Sequence, residues 1–247
     1  MQVLITSGGT QVPIDPIRCI TNSSTGQLGS QIAIAALLKG ASVIYLASIE
    51  AKSPFYASFD CYSSFLQKNS IIQENYIQEK SILKLKELFE FYCQYHDYYS
   101  EFRFRYYEEY SALLKKIIIE KKPDVVILVA AVSDYLISSY SPEKIRSTDE
   151  LQLQFKIAPK LIHYIKKWLP HTFLVGFKLL INSSDAELVD AALKSIAINK
   201  ADLIVANNLS SLQKGAHEVL LVERTGFYQK IKDQIAESII QHVMQRQ

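Results

Sequence analysis

The chain opens on an unbroken apolar run, Val3-Leu4-Ile5, that ends in the small residues Thr6-Ser7-Gly8-Gly9. A run this short, with no polar position inside it, predicts a strand buried on both faces. Helical spacing of apolar residues begins only with GQLGSQIAIAALLKG, where Gly40 supplies the stop. Ser24 and Gln27 stand at capping-box spacing at its start. ASVIYLAS then reads as a second buried strand. Strand, helix and strand within about 48 residues predict a βαβ unit of a parallel sheet.

The same pattern resumes in the second half. KPDVVILVAAVSDY is a strand entering a small-residue loop, LQLQFK alternates as a strand with one exposed face, KLIHYIKKWL is helical and HTFLVGF is a strand. Ser184 and Glu187 form a second capping-box spacing ahead of LVDAALKSIAI. ADLIVANN is a strand, EVLLVERTGFYQ a hairpin turning at Thr225-Gly226, and IKDQIAESIIQHVM a closing amphipathic helix. Residues 50 to 122 break the rhythm. They are rich in Tyr, Phe, Glu and Lys, and Ser81 to about Lys116 reads as a helix or helix pair around the sheet. No repeat or linker divides the chain. The predicted fold is α/β: a Rossmann-like three-layer domain, mostly parallel sheet with helices on both faces, ending in a hairpin plus helix. One domain spans 1–247, with a variable helical, aromatic-rich insert around 50–122. Ligands of such sheets bind beyond the carboxyl ends of the strands. SGGT, AAVSDY, GFK and ANN all fall there, around one crevice.

Composition narrows the partners. With 49% hydrophobic residues and a net charge of +2 over 247 residues, the chain is a globular domain with no polybasic surface for nucleic acid. Cys19, Cys61 and Cys93 are far apart and have neither zinc nor redox spacing. The N-terminus enters a strand directly, without a signal peptide, and no apolar run approaches a membrane span. The expectation is a soluble cytoplasmic protein.

Several chemistries are excluded by what the motifs lack. A dinucleotide fold needs a tight G-x-G-x-x-G turn and an acidic residue ending the second strand. Here the loop after the first strand is too long, and the second strand ends LAS. There is no Walker lysine, no G-x-S-x-G elbow and no H-E-x-x-H. His96, His163, His171, His217 and His242 form no ligand spacing. What remains is an anion site. NSSTG at a helix start offers backbone N–H groups, hydroxyls and the positive helix end, with Gly26 and Gly29 permitting close approach. Ser24 as a plain helix cap leaves the neighbouring Asn22 and Arg18 unexplained. Lys144 and Arg146, in PEKIRSTDE, sit on a loop whose plainer reading is a solvated charged segment. Asp134 is either a loop cap or a polar anchor for a ribose or magnesium. The residues alone give a nucleotide-dependent α/β enzyme.

The whole pattern resembles the phosphopantothenoylcysteine synthetase (phosphopantothenate–cysteine ligase) family. ITSGGTQVPIDPIRCITNSSTGQLG, AAVSDY, EKIRSTDE, KIAPKLI, VGFK and DLIVANNLS follow in that family's order, from residue 2 to about residue 222. The chain looks like the free-standing bacterial form, with no flavin decarboxylase domain before it. The resemblance implies joining of 4′-phosphopantothenate to L-cysteine through an acyl-nucleotidylate, a step of coenzyme A synthesis. A nucleoside triphosphate with Mg2+ is the co-substrate. CTP is favoured over ATP, because TNSSTG, KIRSTDE and GFKLL look most like short bacterial ligases. By the same resemblance Asn22 and Lys144 are catalytic: Asn22 as an oxyanion-type donor, Lys144 as a charge on the triphosphate. Arg18, Asn22 and Ser23 bind phosphopantothenate. Gly8, Gly9, Ser24, Gly26, Ala130, Ala131, Asp134, Lys144, Arg146, Pro159, Phe177 and Lys194 hold the nucleotide, with Asp134 also the magnesium ligand. A homodimer is implied as well. Leu180 and Asn208 depart from the acidic residues common at those positions. A non-catalytic nucleotide-binding protein of this fold and a nicotinamide-dependent Rossmann reductase are the competing classes. The first is disfavoured by the presence of Asn22, Lys144 and Asp134, the second by the loop length and the missing acid.

Overall fold

The computed structural model describes residues 1–55, 79–146, 151–210 and 218–246. Its central strand, β1 (Gln2–Ser7), is followed by a small antiparallel ribbon, β2 (Gln11–Pro13) with β3 (Cys19–Thr21), and then by α1 (Gln27–Leu38) and β4 (Ser42–Ser48). Next come α2 (Glu79–Tyr95), β5 (Tyr99–Phe104), α3 (Tyr107–Lys121) and β6 (Val125–Leu128). A second ribbon pairs β7 (Tyr135–Ile137) with β8 (Phe155–Ile157). The chain continues through α4 (Ile162–Trp168), β9 (Phe173–Leu180), α5 (Asp185–Asn199), β10 (Leu203–Asn208), β11 (Val219–Glu223), β12 (Tyr228–Ile231) and α6 (Ile235–Gln245).

Among the described residues the main sheet has eight strands, in the order β12-β11-β10-β9-β6-β1-β4-β5. The six from β5 to β10 are parallel, and β11 and β12 extend one edge as an antiparallel hairpin. Counted along the chain, the parallel strands lie 3-2-1-4-5-6, the doubly wound order whose switch point falls between the first and fourth strands. Here these are β1 and β6.

The strand period of two sorts the core into layers. Val3 and Ile5 of β1 face Ile32 and Ala36 of α1 and Ile239 and Val243 of α6. Leu4 faces the opposite way, with Leu114 and Ile118 of α3, Ile165 of α4 and Leu188 of α5. All but one are fully excluded from solvent, Leu188 nearly so. Each such aliphatic side chain contributes about 1.5–3 kcal/mol. The predicted three-layer α/β fold is therefore present, hairpin and final helix included. Gly226, with φ 85°, donates to the Glu223 carbonyl at 3.1 Å to turn that hairpin. Ser184 and Glu187 form the expected reciprocal cap on α5.

Three local expectations are corrected. The stretch from Ser81 to Lys116 is not continuously helical, because β5 interrupts it and forms the sheet edge beside β4. Its charges are satisfied internally: the Glu101 carboxylate accepts from Tyr99, from Arg103 and from Ser53 at 2.7 Å. LQLQFK forms a strand only at Phe155–Ile157. It pairs off the main sheet with β7, which turns Leu136 into the core while Phe155–Ile157 stay exposed. Finally, Ser24 does not cap α1. The helix begins at Gln27 behind Gly26, which has φ 71°, and no side chain caps it. No helix among the described residues is long and apolar enough to cross a membrane.

Candidate nucleotide site

Beyond the carboxyl ends of β1 and β6 the two chains are sewn together. Ala131 N–H donates to the Gly8 carbonyl at 2.7 Å, and Ala130 N–H to Thr6 Oγ1 at 3.2 Å. Ser133 N–H meets Thr10 Oγ1 at 2.9 Å, and Gly9 pairs with Ala131 as an isolated bridge. Asn22, leaving β3, lays its amide across this seam. Its Nδ2 lies 3.3 Å from the carbonyls of both Ala131 and Val132, at the long end of hydrogen bonding, and the residue is exposed.

Two cavities share the 129–132 segment as a wall. One, of about 300 Å³, lies over the start of α1 and includes Gly8, Ser23, Ser24, Gly26, Gly29 and Val129. The other, of about 200 Å³, lies between the ends of β6 and β9 and the segment before α4, and includes Ala130, Asp134, Pro159, Lys160 and Phe177. The sequence-predicted Gly8, Ser23, Ser24 and Gly26 thus gather in the first, and Ala130, Asp134, Pro159 and Phe177 in the second. Gly9, Ala131 and Asn22 build the seam between them.

The first cavity is a glycine cradle divided by an insertion. Gly26 and Gly29 keep the G-x-x-G spacing of a phosphate turn, while the β2–β3 ribbon separates them from Gly8. Closure depends on Ser7, whose Oγ donates to the Gly26 carbonyl at 3.0 Å. A Cβ on Gly29 would lie 2.3 Å from that same oxygen, so the helix reaches the strand only through glycine. The uncapped helix start and the absence of an acid from its first turn leave the positive end open to an anion.

The second cavity is apolar with a polar lip. Tyr107 Oη donates to the Pro159 carbonyl at 2.5 Å and Ala158 N–H to the Asp134 carbonyl at 2.9 Å, which fixes the wall. Burial pushes the Tyr110 phenol up, so it lines the floor as a neutral group. Asp134 pairs with Lys160 at 3.2 Å on the exposed lip. Among the described residues no three His, Cys, Asp or Glu side chains cluster to hold a metal.

The remaining predicted residues lie elsewhere. Arg18 is engaged within the protein. Its Nε and one terminal nitrogen bind the Asp15 carboxylate at 2.9 and 2.5 Å, and it also donates to the Ile145 carbonyl at 2.7 Å. Asp15 is fully buried and accepts further from the N–H groups of Ile17, Arg18 and Ile145. The Arg18 guanidinium, aided by those backbone donors, holds its carboxyl well below the usual carboxylate range against the opposing effect of burial. This latch ties the β2–β3 turn to the basic loop, with Lys144 and Arg146 exposed on either side of Ile145. Residues 147–150 of that loop lie outside the described residues. Lys194 projects from α5 in an exposed pair with Asp190 at 2.7 Å and lines neither cavity.

Doubly wound order, a glycine-lined helix start and an apolar slot at the switch point define a Rossmann-like α/β protein with a crevice at its switch point. Ser48, not an acid, ends β4, so the ribose anchor of a nicotinamide fold is missing. Residues 1–58 and 109–246 match the model of the DNA/pantothenate metabolism flavoprotein C-terminal domain, and the chain belongs to that family. It is 33% identical to the coenzyme A biosynthesis bifunctional protein CoaBC of Thermococcus kodakarensis, over 90% of this chain and 45% of that protein. It is 29% identical to human phosphopantothenate–cysteine ligase, over 85% of this chain and 73% of that one. The chain spans about half the length of the CoaBC relatives from Thermococcus kodakarensis and Methanocaldococcus jannaschii. Among solved structures, a Cab2 mutant in complex with phosphopantothenate-cysteine superposes with a TM-score of 0.80 at 27% identity, over 99% of this chain and 85% of that chain. The family member from Streptococcus pneumoniae gives 0.73 at 27% identity, over 100% and 97%.

Proposed function

We propose that this chain is a phosphopantothenate–cysteine ligase of coenzyme A synthesis, working as one domain with an insert around 50–122. The observation that carries the reading is the placement of Asn22 on the seam between two cavities, one suited to a nucleoside and one to phosphates. The likeness to the human ligase and to the Cab2 complex supports it. The carboxylate of 4′-phosphopantothenate attacks the α-phosphorus of the nucleotide, and pyrophosphate leaves. The amine of L-cysteine then attacks the acyl carbon, releasing the nucleoside monophosphate and a proton. No electrons change hands, so the reaction has no use for a flavin.

The base and ribose occupy the slot at Ala130, Asp134, Pro159 and Phe177. The phosphates lie over Gly8, Ser24 and Gly26, where the helix end stabilises their charge. Asn22 turns its amide from the two long carbonyl contacts to the oxygen of the acyl-nucleotidylate. Lys144 and Arg146 bring positive charge on a loop that the Asp15–Arg18 latch positions. Arg18 therefore supports phosphopantothenate binding through that loop, beside Ser23, and Lys194 is assigned no contact. Asp134 would be the protein ligand of a magnesium ion, which would supply charge neutralisation to the nucleotide. CTP is the favoured nucleotide over ATP, the assembly is a homodimer, and the compartment is the cytoplasm.

The test is pyrophosphate release from purified protein supplied with 4′-phosphopantothenate, L-cysteine and either CTP or ATP. Expected are phosphopantothenate-dependent pyrophosphate and cysteine-dependent turnover, with CTP the better substrate. Nucleotide binding without pyrophosphate would establish the non-catalytic alternative.

A further inference from the structure

One cation beside the glycine cradle has no role in the scheme above. Lys52 follows β4 in the turn from Ser48 to Ser53, and its ammonium donates to Gln27 Oε1 at 2.8 Å. Gln27 is the first residue of α1 and lines the cradle. The Lys52 side chain is exposed and, among the described residues, forms no ion pair, so a full charge rests on a neutral amide at a positive helix end. That arrangement gains little in the free protein. It becomes favourable when an anion arrives.

The turn that presents Lys52 is held on every side. Lys52 N–H donates to the Thr25 carbonyl at 3.0 Å, and its own carbonyl accepts from Tyr45 Oη at 2.8 Å. Arg103 donates to the carbonyls of Ser48 and Ala51 at 2.7 and 2.9 Å, and Ser53 Oγ to Glu101 at 2.7 Å. Ala51 packs against the bare faces of Gly8 and Gly26, where an added Cβ would come within 2.8 and 2.6 Å of its methyl group. Glu50, the acid of this turn, is engaged by Gln11 Nε2 at 2.7 Å. Such anchoring orders the stem before any ligand binds, so little binding energy goes into ordering it. It also gives β5, and its half-buried Glu101–Arg103 pair, a purpose in the site.

We infer that Lys52 is a specificity-determining residue that recognises the pyrophosphoryl end of the nucleoside triphosphate. The inference rests on the nucleotide reading of the two cavities. In that reading the α-phosphorus lies at the Asn22 seam, so the departing phosphoryl groups extend into the glycine cradle. There the Lys52 ammonium exchanges Gln27 for phosphate oxygens. Lys52 thereby separates triphosphate from monophosphate and holds the leaving pyrophosphate.

Titration calorimetry with CTP, ATP, CMP and inorganic pyrophosphate on wild type, Lys52→Gln, Lys52→Arg and Lys39→Gln tests this. Lys39, at the far end of α1, controls for net charge. Lys52→Gln is expected to weaken the preferred triphosphate and pyrophosphate by about 10-fold or more, as for loss of a charged hydrogen bond. CMP affinity should be unchanged, Lys52→Arg should recover most of the loss, and Lys39→Gln should behave as wild type. If the wild type binds neither triphosphate, the nucleotide reading itself is wrong and Lys52 falls with it. If the wild type binds triphosphate but Lys52→Gln binds it equally well, or loses CMP in the same proportion, only the Lys52 inference is overturned.

Discussion

Gly8 and Gly40 have nearly the same backbone, φ 79° and 78°, in opposite surroundings. A Cβ on Gly40 would meet nothing within 4 Å, whereas one on Gly8 would lie 2.1 Å from Ser48 Oγ and 2.8 Å from Ala51 Cβ. Replacing either by alanine forces a left-handed conformation at about 1–2 kcal/mol, partly offset by about 0.4–1 kcal/mol from a less flexible unfolded chain. Gly40→Ala should therefore destabilise by about 1 kcal/mol or less. Gly8→Ala adds overpacking against two buried residues, typically about 1–3 kcal/mol, for a total of about 1–4 kcal/mol. At about 2–4 °C per kcal/mol for a chain of this size, the Tm of Gly8→Ala should fall well below that of Gly40→Ala. Urea denaturation and thermal melts of both variants measure the difference. Ser48→Ala in the Gly8→Ala background should recover part of the loss, because it removes the nearest atom. The displaced turn also carries Lys52, so Gly8→Ala should lose triphosphate affinity even where it is folded. Equal stability of the two alanine variants would refute the close approach of the β4 turn to the cradle.

Four further outcomes are expected. Asn22→Ala retains nucleotide binding but loses about 100-fold or more in ligation rate, as for one oxyanion-type donor; near-normal turnover would remove it from the chemistry. Lys144→Gln slows the pyrophosphate burst more than it weakens phosphopantothenate binding, and an unchanged burst would leave it a solvated loop residue. The folded-state pKa of Asp15 is depressed, so its stabilisation is complete above the unfolded value near about 4 and drains away as pH falls below it. Urea midpoints of wild type should thus fall more steeply than those of Asp15→Asn below about pH 4, and parallel slopes would contradict the latch. Light scattering should report a homodimer; a fully active monomer of 28.1 kDa would overturn that assembly.

Much of the architecture could be read from the chain because β1, β4 and β6 are nearly continuous apolar runs that give way to small residues, and β9 and β10 open on runs of the same kind. The cradle was legible for the same local reason: NSSTG and its glycines are neighbours in sequence. What escaped was set by long-range pairing. Glu101 and Arg103 look like surface positions of a helix until β5 is laid beside β4 and the two charges satisfy each other. Arg18 looks free until Ile145, 127 positions away, closes the latch. Lys52 belongs to no motif, and Lys160 sits inside KIAPKLI with nothing local to mark its partner; only the topology brings one to the helix start and the other to Asp134. Ser24 failed as a cap because Gly26 turns the chain by a route that needs no hydroxyl.

The β2–β3 ribbon lies inside what would otherwise be a short phosphate turn, and Ser7 and Gly26, 19 positions apart, still meet at 3.0 Å. The closure entropy of a flexible loop grows only logarithmically. Lengthening a turn from about six residues to this span costs roughly 1 kcal/mol. The ribbon's own pairing works against that cost. A ribbon can therefore be inserted into a glycine cradle at little thermodynamic penalty, provided its two ends still meet. The weak point of such a graft is its closure and not its length. Residues added at the tip of the ribbon should be tolerated far better than the loss of the single Ser7 oxygen.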